Sequence, residues 1–191
     1  MICYGNTISI NVDFIFTNKS MLIYIRHSED NTSATYPFDN KLSYAGSQKI
    51  AEFTERMIKK RGLPDVIYCG PLRRCKLTCK YMLRYMKVHY KHTPRVKIDT
   101  RLSRFFTPKE RQHPDIMKTI QKHNLNINET SSDFKHRTHS FIRELENEHT
   151  SERKIWAISH TLVIREACRI YSIDFPKKIP FLFYIKVHAN K

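Results

Sequence analysis

The chain has 191 residues, 40% of them hydrophobic and 12% aromatic, which suits one domain with a packed core and excludes a low-complexity or disordered chain. No apolar run approaches the ~20 residues of a membrane helix. Asn11 and Asp13 interrupt the apolar stretch from Ile8 to Phe16, and neither a basic segment before it nor a small-residue cleavage site after it marks a secretory signal. The net charge of +16 points to anionic partners, such as phosphorylated small molecules, phosphoproteins, nucleic acid or anionic surfaces, without choosing among them.

The five cysteines are Cys3, Cys69, Cys75, Cys79 and Cys168. Their number is odd and they form no CxxC pair, so neither a disulfide framework nor a zinc site is expected. A reduced, cytoplasmic setting fits this usage, with no metal, no cofactor and no membrane partner.

In chain order, Met1 to Ser20 carry no clear periodicity and are read as an N-terminal appendage; residues 21–191 are read as a single domain. Leu22-Ile23-Tyr24-Ile25 is the first convincing strand. Ser43 is placed to cap a helix reaching about Lys60, with Ile50, Phe53, Met57 and Ile58 as its apolar face. Gly62 and Pro64 end it. Val66-Ile67-Tyr68 is a short buried strand, and Pro71 suits the first turn of a helix extending to about Val88. Val96 to Ile98 is another strand. Leu102 to Pro114 reads as irregular, with Pro108 and Pro114 as breakers. Helical patterns return at Asp115 to His123 and at Ser131 to Glu148, where Phe134, Arg137, Phe141 and Leu145 share a side. Lys154 to Ile158 is a strand, Thr161 to Tyr171 a helix, and Phe181 to Val187 the last strand. This alternation predicts an α/β fold, a three-layer α/β/α sandwich with a mainly parallel central sheet.

The chemistry sits at strand ends. Arg26-His27 follows the first strand directly. His160 follows Trp156-Ala157-Ile158-Ser159 and precedes a helix. Arg73 and Arg74 follow the strand at Val66 to Tyr68. In open α/β sheets, ligands bind beyond the carboxyl ends of strands, and helix N-termini there favour anions. Three strand ends therefore deliver imidazole or guanidinium groups to one edge.

In order and setting these residues resemble the histidine phosphatase, or phosphoglycerate-mutase-like, superfamily. Ile25-Arg26-His27-Ser28-Glu29 resembles its Arg-His-Gly-Glu signature, and Asp39, Leu42, Gly46 and Gln48 resemble the stretch that follows. Gly70-Pro71-Leu72-Arg73-Arg74-Cys75 with Thr78 resembles its Ser-Pro-Leu-x-Arg-Ala-x-x-Thr block. Ile158-Ser159-His160-Thr161 with Ile164-Arg165 resembles the second histidine block, and Glu129, Phe134 and Arg137 fit a weaker one between.

The resemblance implies metal-free hydrolysis of a phosphomonoester, small molecule or phosphoprotein. His27 would become phosphohistidine, while Arg26, Arg74 and His160 would hold the phosphoryl oxygens. Ser28, Thr78 and Thr161 are expected at the substrate. The alternative is a catalytically weak or inactive protein that binds phosphorylated ligands in the same pocket. Nucleic-acid binding through the basic surface has no motif behind it.

The chain departs from the family pattern at four places. Ser28 and Thr161 replace glycines, Gly70 replaces a serine, and Arg104 stands where many members carry the glutamate that protonates the leaving oxygen. Arginine cannot act as a general acid. Arg104 is therefore read as substrate-binding, and Glu110 is the expected substitute acid. Ser103-Arg104-Phe105-Phe106-Thr107 also differs from the mutase subgroup's Glu-Arg-His-Tyr-Gly run, which favours a phosphatase over a mutase.

Overall fold

The computed structural model describes residues 10–11, 21–31, 39–148 and 153–188. Strand β2 (Met21–Arg26) carries four fully buried residues in a row, Leu22 to Ile25. Such a run suits a strand covered on both faces. Its alternate residues serve two different cores. Leu22 and Tyr24 pack on one side with α5 (Ser131–Glu148) and α6 (Thr161–Ile170), among Phe134, Phe141, Leu145 and Val163. Ile23 and Ile25 pack on the other with α1 (Tyr44–Arg61) and α2 (Arg73–Tyr90), among Phe53, Met57, Met82 and Met86. Strands β3 (Val66–Cys69) and β5 (Lys154–Ser159) divide in the same way: Tyr68 and Ala157 face one core, Ile67 and Trp156 the other. The period of two thus makes a three-layer sandwich.

Among the described residues the sheet has six strands in the order β1-β6-β2-β5-β3-β4, with β1 (Ile10–Asn11), β4 (Arg95–Ile98) and β6 (Tyr184–His188) as the remaining members. All pairings are parallel except β2 with β6. The expected fold class is therefore the observed one. Ile10 and Asn11, expected in a segment without regular structure, form an edge strand parallel to Ile185 and Lys186; the rest of that segment, Cys3 included, lies outside the described residues. Among the described residues no helix is long and apolar enough to cross a membrane.

Helix α1 begins as predicted, with the Ser43 hydroxyl accepting a bond from the Gly46 N–H at 2.9 Å. Helix α2 does not include Pro71. It starts at Arg73, whose N–H is taken by the Asp39 carboxylate at 2.6 Å, a cap supplied from outside the helix's own sequence. A 3-10 turn at Thr100–Leu102 leads into the segment expected to be irregular, which contains the short helix α3 (Pro108–Arg111). Thr107 and Glu110 close a reciprocal capping box around α3, so Pro108 opens a helix rather than breaking one. Helix α4 (Pro114–Lys122) follows. The final strand starts three residues later than expected, because Leu182 turns the chain with a φ of 55°.

Candidate active site

The strand register brings the two histidines together. Arg26 is paired with Ser159 in adjacent parallel strands, so His27 and His160 leave the sheet side by side. The His27 N–H donates to the Ser159 carbonyl at 3.0 Å, and the Gly70 N–H donates to the Ile158 carbonyl at 2.9 Å, which ties the third strand end to the same edge. The imidazoles meet edge to face with their centroids 5.0 Å apart. Both are buried.

Each ring is oriented by its neighbours. His27 Nδ1 donates to the Ser28 carbonyl at 2.8 Å, which leaves Nε2 as the unprotonated, nucleophilic nitrogen. Arg74, itself buried, directs Nε and one Nη at His160 Nδ1, both at 3.4 Å. With Nδ1 accepting, His160 Nε2 carries the proton and faces the Cys75 sulfur at 3.3 Å. Burial raises the Cys75 thiol to about 12, so it stays neutral. Burial and then the Arg74 charge push both imidazoles well below their ordinary pKa; the Ser28 carbonyl opposes the shift at His27, and the Arg104 charge adds to it at both rings.

Arg26 is only partly buried. Its guanidinium lies 4.0 Å from the centre of the Phe181 ring and donates to the Ile179 carbonyl, while Phe181 also stacks 5.7 Å from His27. Phe181 had been expected in a strand. It lies instead in the loop that walls the pocket, and Pro180 before it is the sequence signal that could have moved it there.

The walls are close-fitting. A Cβ on Gly70 would stand 2.9 Å from the Leu102 carbonyl oxygen, which accounts for glycine where serine is usual. A Cβ on Gly46 would stand 2.3 Å from the Glu29 carbonyl oxygen, so α1 packs directly on the backbone after the first histidine. The hydroxyls of Ser28 and Thr78 are engaged in that wall. Ser28 Oγ donates to the Gly46 carbonyl at 2.7 Å, and Thr78 Oγ1 donates to the Arg74 carbonyl and accepts from the Ser28 N–H. Thr161 opens α6 beside His160.

The Arg104 charge is felt at both histidines, and Arg104 lines a cavity of about 250 Å³ together with, among others, Ser103, Arg111, Glu129 and Arg137. It forms an ion pair with Glu110. Glu110 itself is fully engaged: one oxygen accepts from the Thr107 N–H and hydroxyl at 2.7 and 3.0 Å, and the other takes Arg104. Partial burial raises the Glu110 carboxyl, but the Thr107 bonds and the Arg104 charge outweigh it and hold the group below its ordinary range. One carboxylate that the sequence reading passed over faces the pocket. Asp30 Oδ2 lies 3.7 Å from Arg74 Nη1.

The model of the histidine phosphatase superfamily (branch 1) matches residues 22–181. Among solved structures, a chain assigned as the phosphohistidine phosphatase SixA of Agrobacterium tumefaciens shares 11% identity, with a TM-score of 0.61 over 89% of this chain and 92% of that one. A mycobacterial glucosyl-3-phosphoglycerate phosphatase in complex with VO3 shares 16%, with a TM-score of 0.59 over 87% and 90%. The ecdysone phosphate phosphatase of Bombix mori, in complex with tungstate, shares 14%, with a TM-score of 0.59 over 88% of each chain. No curated protein sequence matches the chain.

Proposed function

We propose that this chain, which belongs to branch 1 of the histidine phosphatase superfamily, is a phosphatase that hydrolyses phosphomonoesters through a phosphohistidine on His27, without a metal ion. One observation carries the reading. Two buried, neutral imidazoles face each other 5.0 Å apart at adjacent strand ends, with a buried arginine against one of them. A guanidinium at that place suits the oxygens of a phosphoryl group, which its planar fork matches.

The chemistry follows from the protonation states. His27 Nε2 carries a lone pair directed away from the Ser28 carbonyl, and its lowered pKa keeps it unprotonated at neutral pH. It attacks phosphorus, and the bond to the ester oxygen breaks. The 3.4 Å contacts from Arg74 to His160 are long, so a phosphoryl oxygen that enters between the rings replaces a weak acceptor with a charged one. Arg26, held by the Ile179 carbonyl and Phe181, contributes the second fork. These cations stabilise the charge spread over the oxygens as transfer proceeds, with His160 beside them. Water then hydrolyses the phosphohistidine. Oxyanions bound in two relatives of the same fold, vanadate and tungstate, are of the kind such a pocket would take. Four buried free thiols, at Cys69, Cys75, Cys79 and Cys168, fit a reducing, cytoplasmic setting.

A second reading rests on Arg104 at the usual acid position. A protein without an effective acid would hold phosphorylated ligands and turn them over slowly. Hydrolysis of an aryl phosphate in EDTA, with His27→Ala as control, tests the proposal. Turnover by the native chain and none by the variant is expected. Inhibition by EDTA that a divalent ion reverses overturns the metal-free reading, and vanadate binding without turnover favours the second.

A further inference from the structure

We propose that Asp30 is the general acid of this site, an assignment that rests on the phosphatase reading above. Three carboxylates need weighing near the pocket. Glu110 spends both oxygens on Thr107 and Arg104 and is held ionised by them. Glu29 turns outward to Lys49 at 3.0 Å. Asp30 alone of the three faces a phosphate-binding arginine, with Oδ2 3.7 Å from Arg74 Nη1. That separation is an ion pair and not a hydrogen bond, so the carboxylate stands at the rim of the pocket without being locked into it. Its charge is also felt by Arg26 and by the Cys75 thiol.

The backbone of Asp30 is fixed from both flanks. Asp30 pairs with Leu42 in an isolated antiparallel bridge, the Asn31 N–H donates to the Lys41 carbonyl at 2.9 Å, and the Ser43 N–H donates to the Glu29 carbonyl at 3.0 Å. Gly46 lets α1 press against that same Glu29 carbonyl. A side chain so mounted has a definite place relative to Arg74, which catalysis requires.

An oxygen bound to Arg74 Nη1 at ordinary hydrogen-bond distance would lie within roughly 6.5 Å of Asp30 Oδ2, and an ester oxygen on its Asp30 side closer still. A dianionic phosphoryl group there is like charge beside the carboxylate, and like charge favours taking up a proton. In the proposed cycle one proton enters with the substrate and is carried by Asp30. As His27 Nε2 forms its bond to phosphorus and the P–O ester bond breaks, Asp30 passes that proton to the leaving oxygen and becomes a carboxylate. In the second half, water attacks the phosphohistidine; the carboxylate accepts its proton, and His27 is released with its lone pair. The proton cycle closes with no other co-reactant.

A leaving-group series tests this in the native chain, Asp30→Asn, Asp30→Ser and Glu110→Gln, with kcat/KM for aryl phosphates against glycerol phosphate and phosphoserine. Nitrophenolate leaves without a proton; an alkoxide does not. Both Asp30 variants are expected to keep aryl turnover within about tenfold and to lose alkyl turnover by ~10²–10⁴-fold. Glu110→Gln should affect the two classes alike. Equal loss of both classes in the Asp30 variants, or a selective alkyl loss in Glu110→Gln, overturns the assignment and leaves the phosphatase reading in place. A native chain inactive on the whole series overturns the phosphatase reading and this assignment with it.

Discussion

The histidine pocket and the cavity that Arg104 lines are both built with arginines, yet they treat positive charge in opposite ways. Around the cavity the cations are neutralised internally. Arg137 pairs with Glu129 and donates to the carbonyls of Arg101 and Ser103, Arg111 donates to those of Phe106, Ile127 and Glu129, and Arg104 pairs with Glu110. In the pocket, buried Arg74 points two of its nitrogens at a neutral imidazole and meets its carboxylate only at 3.7 Å. Arginines that complete their bonding inside the protein act as struts. An arginine whose nitrogens point at an imidazole between the strand ends is placed for an anion that arrives later. The same residue type is structural in one place and functional in another, and what divides the two is the set of groups each one meets.

The largest break in this contrast comes from Arg74→Ala. Removing a donor poised for transition-state charge should lower kcat by ~10²–10³-fold, and steady-state kinetics on an aryl phosphate with a vanadate titration check it. Vanadate affinity should fall as well. If activity survives, Arg74 is a strut like the others.

Arg137→Ala should show the converse. It strands the Glu129 carboxylate, buried to 8% exposure, and two backbone carbonyls. We expect a loss of about 2–3 kcal/mol, just below the cost of breaking a fully buried pair, or roughly 2–4 °C in Tm per kcal/mol. Thermal melting measures it, and kcat measured well below Tm should change far less than in Arg74→Ala.

A third effect separates the regions by pH. His27 and His160 have lowered pKa values in the folded chain, so the unfolded chain binds more protons below the ordinary value of 6.5. Stability is therefore greatest above that pH and falls as pH drops through it, by up to about 1.4 kcal/mol per pH unit per histidine. The carboxylates held down elsewhere, Asp39 and Glu110, lose their contribution only as pH falls through about 4. Denaturant melts between pH 7 and 5 should show the slope, and His160→Gln should reduce it.

Much of the fold was legible because every central strand is buried on both faces, so apolar runs and helical faces alternate without ambiguity. The pairing of strands more than 130 residues apart is not local information. It came from the order of the motifs, and the register of Arg26 with Ser159 then accounts for the meeting of His27 and His160. Other features escaped for physical reasons. The Thr107–Glu110 capping box was present in the letters, but Pro108 was taken as a breaker when it was an N-terminal helix residue. Asp30 reads as one more surface carboxylate until the bridge to Leu42 and the contact with Arg74 give it a direction. Phe181 follows a proline and precedes a residue with positive φ, and only the folded loop shows that its ring lies against Arg26 and His27. The contact of Cys75 with His160 depends on how α2 lies under β5, which no single segment encodes.

The account turns on His27 as the group that carries phosphate. Rapid quenching in alkali of the chain mixed with ³²P-labelled nitrophenyl phosphate, followed by peptide mapping, addresses it directly. Label is expected on His27 that survives alkali, is lost in acid, and is absent from His27→Ala. Alkali-stable label on any other residue, or turnover that persists undiminished in His27→Ala, would contradict it.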